Sequence, residues 1–584
     1  MRFKNVFCGF WILTGLLTGT ALASQDEGMP DSEEAGEESR LPFELPDFGF
    51  LADTEDALIP VLRTLIIRPA DAEEIRVLPA EIAGIVYISG LPLLDTPSFR
   101  RKALNHLGKP LTEDSLEALI EDIVFTYRKN RRPVVDVTVP DLDLPEGRFV
   151  IEVQEHTVGQ VRVSGNQWFR RAIFANKTRF IRGDEIDSVM LQEDLDWMNR
   201  NPFREVSLAY VSGSRPGETD LLFEVDDRFP FQVYGGFENT GNEITGEERF
   251  IAGFNWGHVL ALDQELNYQF RTGRYFDHVY GHSASYVIPL PFRHELTVFG
   301  DYAESEVEIG GEDVKGETLD AGLRYAIFMV GWENPRYGLR LAQQFTLGAD
   351  FKRAENAFEL GRAQVFDPAT EIIQGMARYD ARLRDPFGTT VFNASVFYSP
   401  GNFLSERNRD RVFKEARPGS KSRYYYTRVG LDRESTLVHG FQLGMRGQYQ
   451  FSNRNLLPSE QLGVGGHASV RGYEERAASG DNAYLLSAEL RTPEFNLSEI
   501  TRLGRPGRDR WQLLGFLDYG MAQIKDREFD EPGRTHLMGA GPGLRMRIGD
   551  NFFLRFDYGW QIRDDAVDDD SRDHRAHAAV ILSY

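Results

Sequence analysis

Cysteine is nearly absent from this 584-residue sequence: the single one, Cys8, lies in the apolar start of the chain. Beyond it there is no thiol for a disulfide, a thiolate nucleophile or a zinc–thiolate site. Long hydrophobic runs are also lacking. No later stretch gathers the 18 or more apolar residues of a spanning helix. Basic residues are outnumbered, 66 Lys and Arg against 90 Asp and Glu, for a net charge of −24. A chain this acidic lacks the clustered cations that neutralise phosphates, so nucleic acid is excluded as a partner. The motifs of covalent chemistry are missing as well, with no HExxH, GxSxG or phosphate-binding P-loop. No catalytic residue, cofactor or resident metal is therefore expected, and an enzyme is not the reading.

What is present begins with an export signal. Arg2 and Lys4 precede the apolar run Val6 to Leu17, and Ala21-Leu22-Ala23 supplies small residues for cleavage, so residues 1–23 read as a signal peptide. Residues 24–40 are acidic and almost free of large apolar side chains, the composition of a disordered spacer. Residues 41–80 carry several prolines and one apolar patch, Leu58 to Ile67. A short helix, a strand, or a plug or linker segment entering a larger structure all fit that patch.

An internal repeat follows. Ile85-Val86-Tyr87-Ile88-Ser89-Gly90 is matched about 75 residues later by Val161-Arg162-Val163-Ser164-Gly165. Gly108, Leu116 and Ile120 are matched at the same offset by Gly183, Leu191 and Leu195. In the first copy, Ser115 to Lys129 places Leu116, Leu119, Ile120, Ile123, Val124 and Tyr127 at helical spacing, with Thr112 or Ser115 as N-cap. Pro133 ends that helix. Two alternating strands follow, Val134 to Val139 and Arg148 to Val153. The second copy repeats the order with Val189 to Asn199, Arg204 to Val211 and Asp220 to Val225. Two α+β modules, 81–155 and 156–228, result, each a sheet with helices on one face.

Past Arg228 the texture changes to period-two alternation. Leu339, Leu341, Phe345, Leu347 and Phe351 alternate with Arg340, Gln344, Thr346, Asp350 and Lys352; Phe441 to Phe451 and Phe552 to Trp560 behave alike. These strands are longer than the five or six residues usual in soluble sheets. Aromatics mark the ends of their apolar faces, as at membrane interfaces, and their other faces carry Arg, Asp, Glu and Gln, which suit an aqueous lumen. Residues 229–584 accommodate about sixteen such strands in an antiparallel outer-membrane barrel. The last alternating run ends on Tyr584, and closure requires it to pair with the first strand, because an open edge in lipid leaves backbone groups unsatisfied.

Within that region one arginine stands out. Arg471 lies between strands in the glycine-rich stretch Gly463 to Glu475, and Asp518 falls between Leu517 and Tyr519 on the face assigned to the lumen. Arginine can meet a carboxylate with two parallel hydrogen bonds, and this pair is expected to hold an inward loop. Rival signals are weaker. His467 reads as a loop histidine; His574 and His577 lack a third ligand. Asp568-Asp569-Asp570 reads as a solvated acidic loop ahead of a calcium site, and Gly539, Gly541 and Gly543 read as strand glycines.

The order of signal, spacer, two repeated modules and barrel resembles the transporter partner of two-partner secretion, the TpsB family of ShlB/FhaC/HecB-type hemolysin secretion/activation proteins in the BamA-like superfamily. The resemblance spans residues 80–584. The modules look like POTRA domains, with Arg131 to Val135 and Asn199 to Arg204 similar to their characteristic joins. Phe237-Glu238-Asn239-Thr240-Gly241 is similar to the first barrel hairpin. Val470-Arg471-Gly472-Tyr473 looks like the signature at the tip of the inward loop. Gly515 to Gly520, with Phe516, Asp518 and Gly520, looks like the wall motif that receives it. The resemblance implies a periplasmic capture role for the modules, a TpsA-like exported protein as partner, outer-membrane lipid around a barrel that acts as a monomer, and an N-terminal plug helix for which 41–60 are the only candidates. The alternative is an assembly factor of the same superfamily, which usually carries three or more POTRA modules where only two fit here. A passive porin would lack the modules.

Overall fold

The computed structural model describes residues 57–72, 84–140, 147–241, 245–274, 276, 279–309, 312–334, 337–360, 363–366, 369–498, 509–527, 533–564 and 573–584. The signal, the acidic spacer, residues 41–56 and Asp568 to Asp570 lie outside them. The chain divides into two compact units, one ending at Arg228 and the other running from Phe229 to Tyr584.

The first unit holds both α+β modules. In the second module the sheet order is Thr157–Ser164, Glu218–Asp227, Arg204–Ser212, with the first pair parallel and the second antiparallel. The repeat equates Thr157–Ser164 with Ile85–Ile88. The structure corrects that equivalence. In the first module the parallel neighbour of Arg148–Glu155 is Thr64–Pro69, and Ile85–Ile88 is displaced to the sheet edge beyond it. Burial explains the order. Residues 64–68 of the upstream strand are all buried, as a central parallel strand requires, while Ile85–Ile88 alternates between exposed and buried like an edge strand with one covered face. The first module therefore begins before residue 81. Ala57–Ile59 pairs with Leu111–Thr112, and Leu62, Leu65 and Ile67 join Leu119, Ile123 and Ile151 in its core. Of residues 41–80, those from 57 to 69 are module, not plug or linker.

The helices form for the reasons their sequences give. Glu113–Lys129 starts on Thr112, whose side chain accepts from Ser115 N, while Ser115 Oγ accepts from Thr112 N, so the two candidate caps form one reciprocal capping box. The helix buries Leu116, Leu119, Ile120, Ile123 and Tyr127. Burial and the adjacent Glu155 hold the Tyr127 hydroxyl well above the usual phenol range. In the second module Asp187 caps Ser188–Met198. Asn199, in the join after it, pairs its side-chain amide with both Val206 N and Val206 O, and Arg204 lies over Phe169 and Phe174.

In the second unit, among the described residues, sixteen antiparallel strands close a barrel. The sixteen run from 8 residues in Phe231–Glu238 to 23 in Glu312–Asn334, beside a four-residue extension, Ala363–Phe366, that pairs with the end of Leu339–Leu360. The last, His574–Ser583, pairs with the first, Phe231–Glu238, so no edge is left. Asn239 extends this closing pair, its amide donating to Ala576 O and accepting from Ala578 N, both at 2.7 Å. Alternation places Leu347, Met445, Tyr449, Phe556 and Trp560 outside and Asp350, Gln450, Asp518 and Asp557 in the interior. The segment that joins Gln442–Ser452 to Asn482–Arg491, residues 453–481, contains a small hairpin, Leu462–Val464 with Ala478–Gly480, and folds inward against the wall.

Candidate functional site: a loop held inside the barrel

Arg471 stands at the tip of that loop and Asp518 on Asp509–Gln523, whose lumen face also carries Phe516 and Gly520. Arg471 Nε lies 2.7 Å from Asp518 Oδ2 and Nη2 lies 2.9 Å from Oδ1, the bidentate geometry expected of the pair. Arg471 N donates to Asp518 Oδ2 at 3.1 Å and Ser487 Oγ to Oδ1 at 2.6 Å. Four donors thus occupy the lone pairs of a carboxylate that is fully buried. The other end of the guanidinium donates to Glu489 at 2.6 Å and lies 3.8 Å from Asp557. Its plane rests 3.6 Å from the centre of the Phe516 ring. Glu489 and Asp557 have their own arginines, Arg491 and Arg545, so the cluster alternates in sign. Removing one partner of a buried pair of this kind costs about 3–5 kcal/mol.

The other signature residues have separate tasks. Val470 is fully buried with Val464, Tyr473, Leu485 and Leu537. Gly472 has φ 102°, a conformation that favours glycine. Its N–H donates to His577 Nε2 at 3.1 Å and its carbonyl accepts from Gln561 at 2.8 Å. The Tyr473 hydroxyl reaches the carbonyls of Met538 and Arg563, at the point where the register between their strands shifts. It fills the irregularity in the wall, so polar backbone groups left over by the bulge gain a partner. Glu474 continues outward to Arg575 at 3.0 Å.

Sequence reasoning missed the surface on which the tip lies. A Cβ on Gly539 would sit 1.9 Å from Arg471 O, one on Gly559 2.5 Å from Gly472 N, and one on Gly520 2.4 Å from Val464 Cγ1. Gly539 reads as a strand glycine and Gly520 as part of the wall motif, while Gly559 is not singled out by the sequence; together they let the loop backbone touch the wall. Their alternation with large residues concealed that role. His577 also acquires a use, because it accepts from Gly472. His467 stays within the loop, its Nδ1 2.6 Å from Glu475. His574 stacks on Tyr558. Among the described residues no group of three or more His, Asp and Glu is arranged to hold a metal.

The chain is similar to known proteins in sequence and in fold. Residues 217–546 match the family model described as haemolysin secretion/activation protein ShlB/FhaC/HecB. The chain is 23% identical over 466 residues to the heme/hemopexin transporter protein HuxB of Haemophilus influenzae, covering 76% of each chain. It is 24% identical over 461 residues to the hemolysin transporter protein ShlB of Serratia marcescens, covering 76% of this chain and 77% of that one. Its fold is similar to that of CdiB from Escherichia coli, with a TM-score of 0.69 at 15% identity over 98% of both chains. The match spans more than half the sequence and takes in the inward loop, Arg471 and Asp518 alike, so this outer-membrane barrel protein belongs to the ShlB/FhaC/HecB family of haemolysin secretion/activation proteins.

Proposed function

We propose that this chain is a translocation pore that exports one large partner protein, of the TpsA kind, from the periplasm to the cell surface. The POTRA modules capture the unfolded partner by adding its extended segments to a sheet edge. The partner then crosses the lumen, which the inward loop must vacate, and folds outside. No nucleotide is available there, so partner folding supplies the driving force. The protein works as a single lipid-embedded barrel and makes or breaks no covalent bond in its cargo. Relatives named as hemolysin and heme/hemopexin transporters favour secretion over general barrel assembly.

The observation that carries the reading is the fully buried Asp518 with Arg471 and its charged neighbours. The loop is held by a few directional charged bonds, strong enough to close the lumen and separable one by one. The test is partner export by Arg471→Ala and Asp518→Ala, with barrel folding followed by heat-modified electrophoretic mobility. Both variants should lose most export and assemble less well. Normal export by both removes the loop from the mechanism.

A further inference from the structure

A second cluster grips the base of the same loop. Glu460, almost completely buried, accepts from Lys352 Nζ at 2.8 Å, Gln374 Nε2 at 3.1 Å and the Tyr426 hydroxyl at 2.5 Å. Its backbone carbonyl accepts from Arg428 and Gln450, both at 3.1 Å. The donors come from four strands, Leu339–Leu360, Thr370–Asp385, Arg423–Thr436 and Gln442–Ser452. None of these strands belongs to the wall that receives Arg471.

Lys352 has a second carboxylate within reach. Asp320, on Glu312–Asn334, is its direct partner in the ladder and lies 3.7 Å from Nζ. Asp320 is 5% exposed, and neither of its oxygens accepts a hydrogen bond. On its other side it faces Asp301, another carboxylate, which offers it no proton. With the loop in place, Lys352 is drawn to Glu460 and Asp320 is left poorly satisfied, a costly condition for a buried charge. If Glu460 leaves, Lys352 is already aligned to close on Asp320.

We propose that Lys352 is a positioning residue with two alternative partners, Glu460 while the loop lies in the lumen and Asp320 once it leaves. Asp320 then weakens the hold on the loop, because it competes for the same cation, whereas Glu460 strengthens it. The inference rests on the reading that the loop vacates the lumen. It makes the two carboxylates, which touch the same lysine, act in opposite directions. A purely structural ion network would have both substitutions loosen the barrel.

The experiment is single-channel recording of the full-length protein in planar lipid bilayers, without partner, counting large-conductance openings. Glu460→Gln should raise their frequency about tenfold, the scale of one hydrogen bond to a charged group. Asp320→Asn should lower it by a similar factor, and should lose that effect when combined with Glu460→Gln. Openings that rise or stay unchanged in Asp320→Asn overturn the proposal, as does equal suppression in both backgrounds. Electrophoretic mobility checks folding, and Asp320→Ser carries the same test if the asparagine variant does not assemble. Conductance needs no partner, so a failure here leaves the export reading standing. Normal export by Arg471→Ala and Asp518→Ala strikes the export mechanism itself.

Discussion

The α+β modules and the barrel differ in the balance of what they bury. In the modules most residues closed to water are apolar, Leu65, Ile67, Leu119, Ile123, Phe174 and Phe223 among them, with a few carboxylates such as Asp194 and Asp220. In the barrel they include Asp518, Asp481, Gln450 and Glu460, while Leu347, Met445 and Trp560 face outward. The modules rest on apolar burial, which is non-directional and is lost only by unfolding. The inward loop rests on a small apolar patch around Val470 and on paired charges, each with a defined geometry. A chain proposed to hold a closed lumen and also open it gains from adding directional charged bonds at the loop.

That contrast can be broken at either side. The largest effect is expected from Leu65→Ala, which removes a fully buried side chain from the central strand of the first module. It should destabilise that module by about 2–5 kcal/mol. Limited proteolysis of the full-length protein should show early cleavage within residues 57–155, with the mobility shift of the folded barrel unchanged. If the barrel is lost with the module, the two regions are not separately held. A smaller effect is expected from Gly539→Val, since a Cβ there would collide with Arg471 O. Overpacking of about 1–3 kcal/mol should push the loop tip off the wall while the sheet persists, making the loop cleavable by added protease in intact cells. Unchanged protection of the loop would mean that close backbone contact is not what seats it.

Much of this was legible in the sequence, unevenly. Strict alternation identified the barrel because one side of every strand meets lipid, and that pattern is local. Asp518 was found for the same reason, since its flanking Leu517 and Tyr519 fix its face. Thr112 and Ser115 each looked like a cap because they form one capping box, Thr112 as N-cap and Ser115 at the third helical position. The place of Thr64–Pro69 was not legible. The repeat drew attention to Ile85–Ile88, and which of two apolar runs lies central depends on pairing with Arg148–Glu155, some eighty positions away. The glycine seat and the Glu460 cluster were hidden for a related reason. Gly539, Gly559, Lys352 and Glu460 acquire meaning only when closure of the sheet brings distant strands around one loop.

The central claim is that the loop must leave the lumen for the partner to pass. A Cβ on Gly520 would lie 2.8 Å from Val470 Cγ2, close enough for cysteines at the two positions to cross-link the loop to the wall. No other cysteine follows Cys8 to compete. The decisive measurement is partner export by the Val470→Cys/Gly520→Cys double variant before and after reduction. The account predicts export blocked while the disulfide is intact and restored on reduction to the level of the Gly520→Cys single variant; undiminished export through the cross-linked barrel would contradict it.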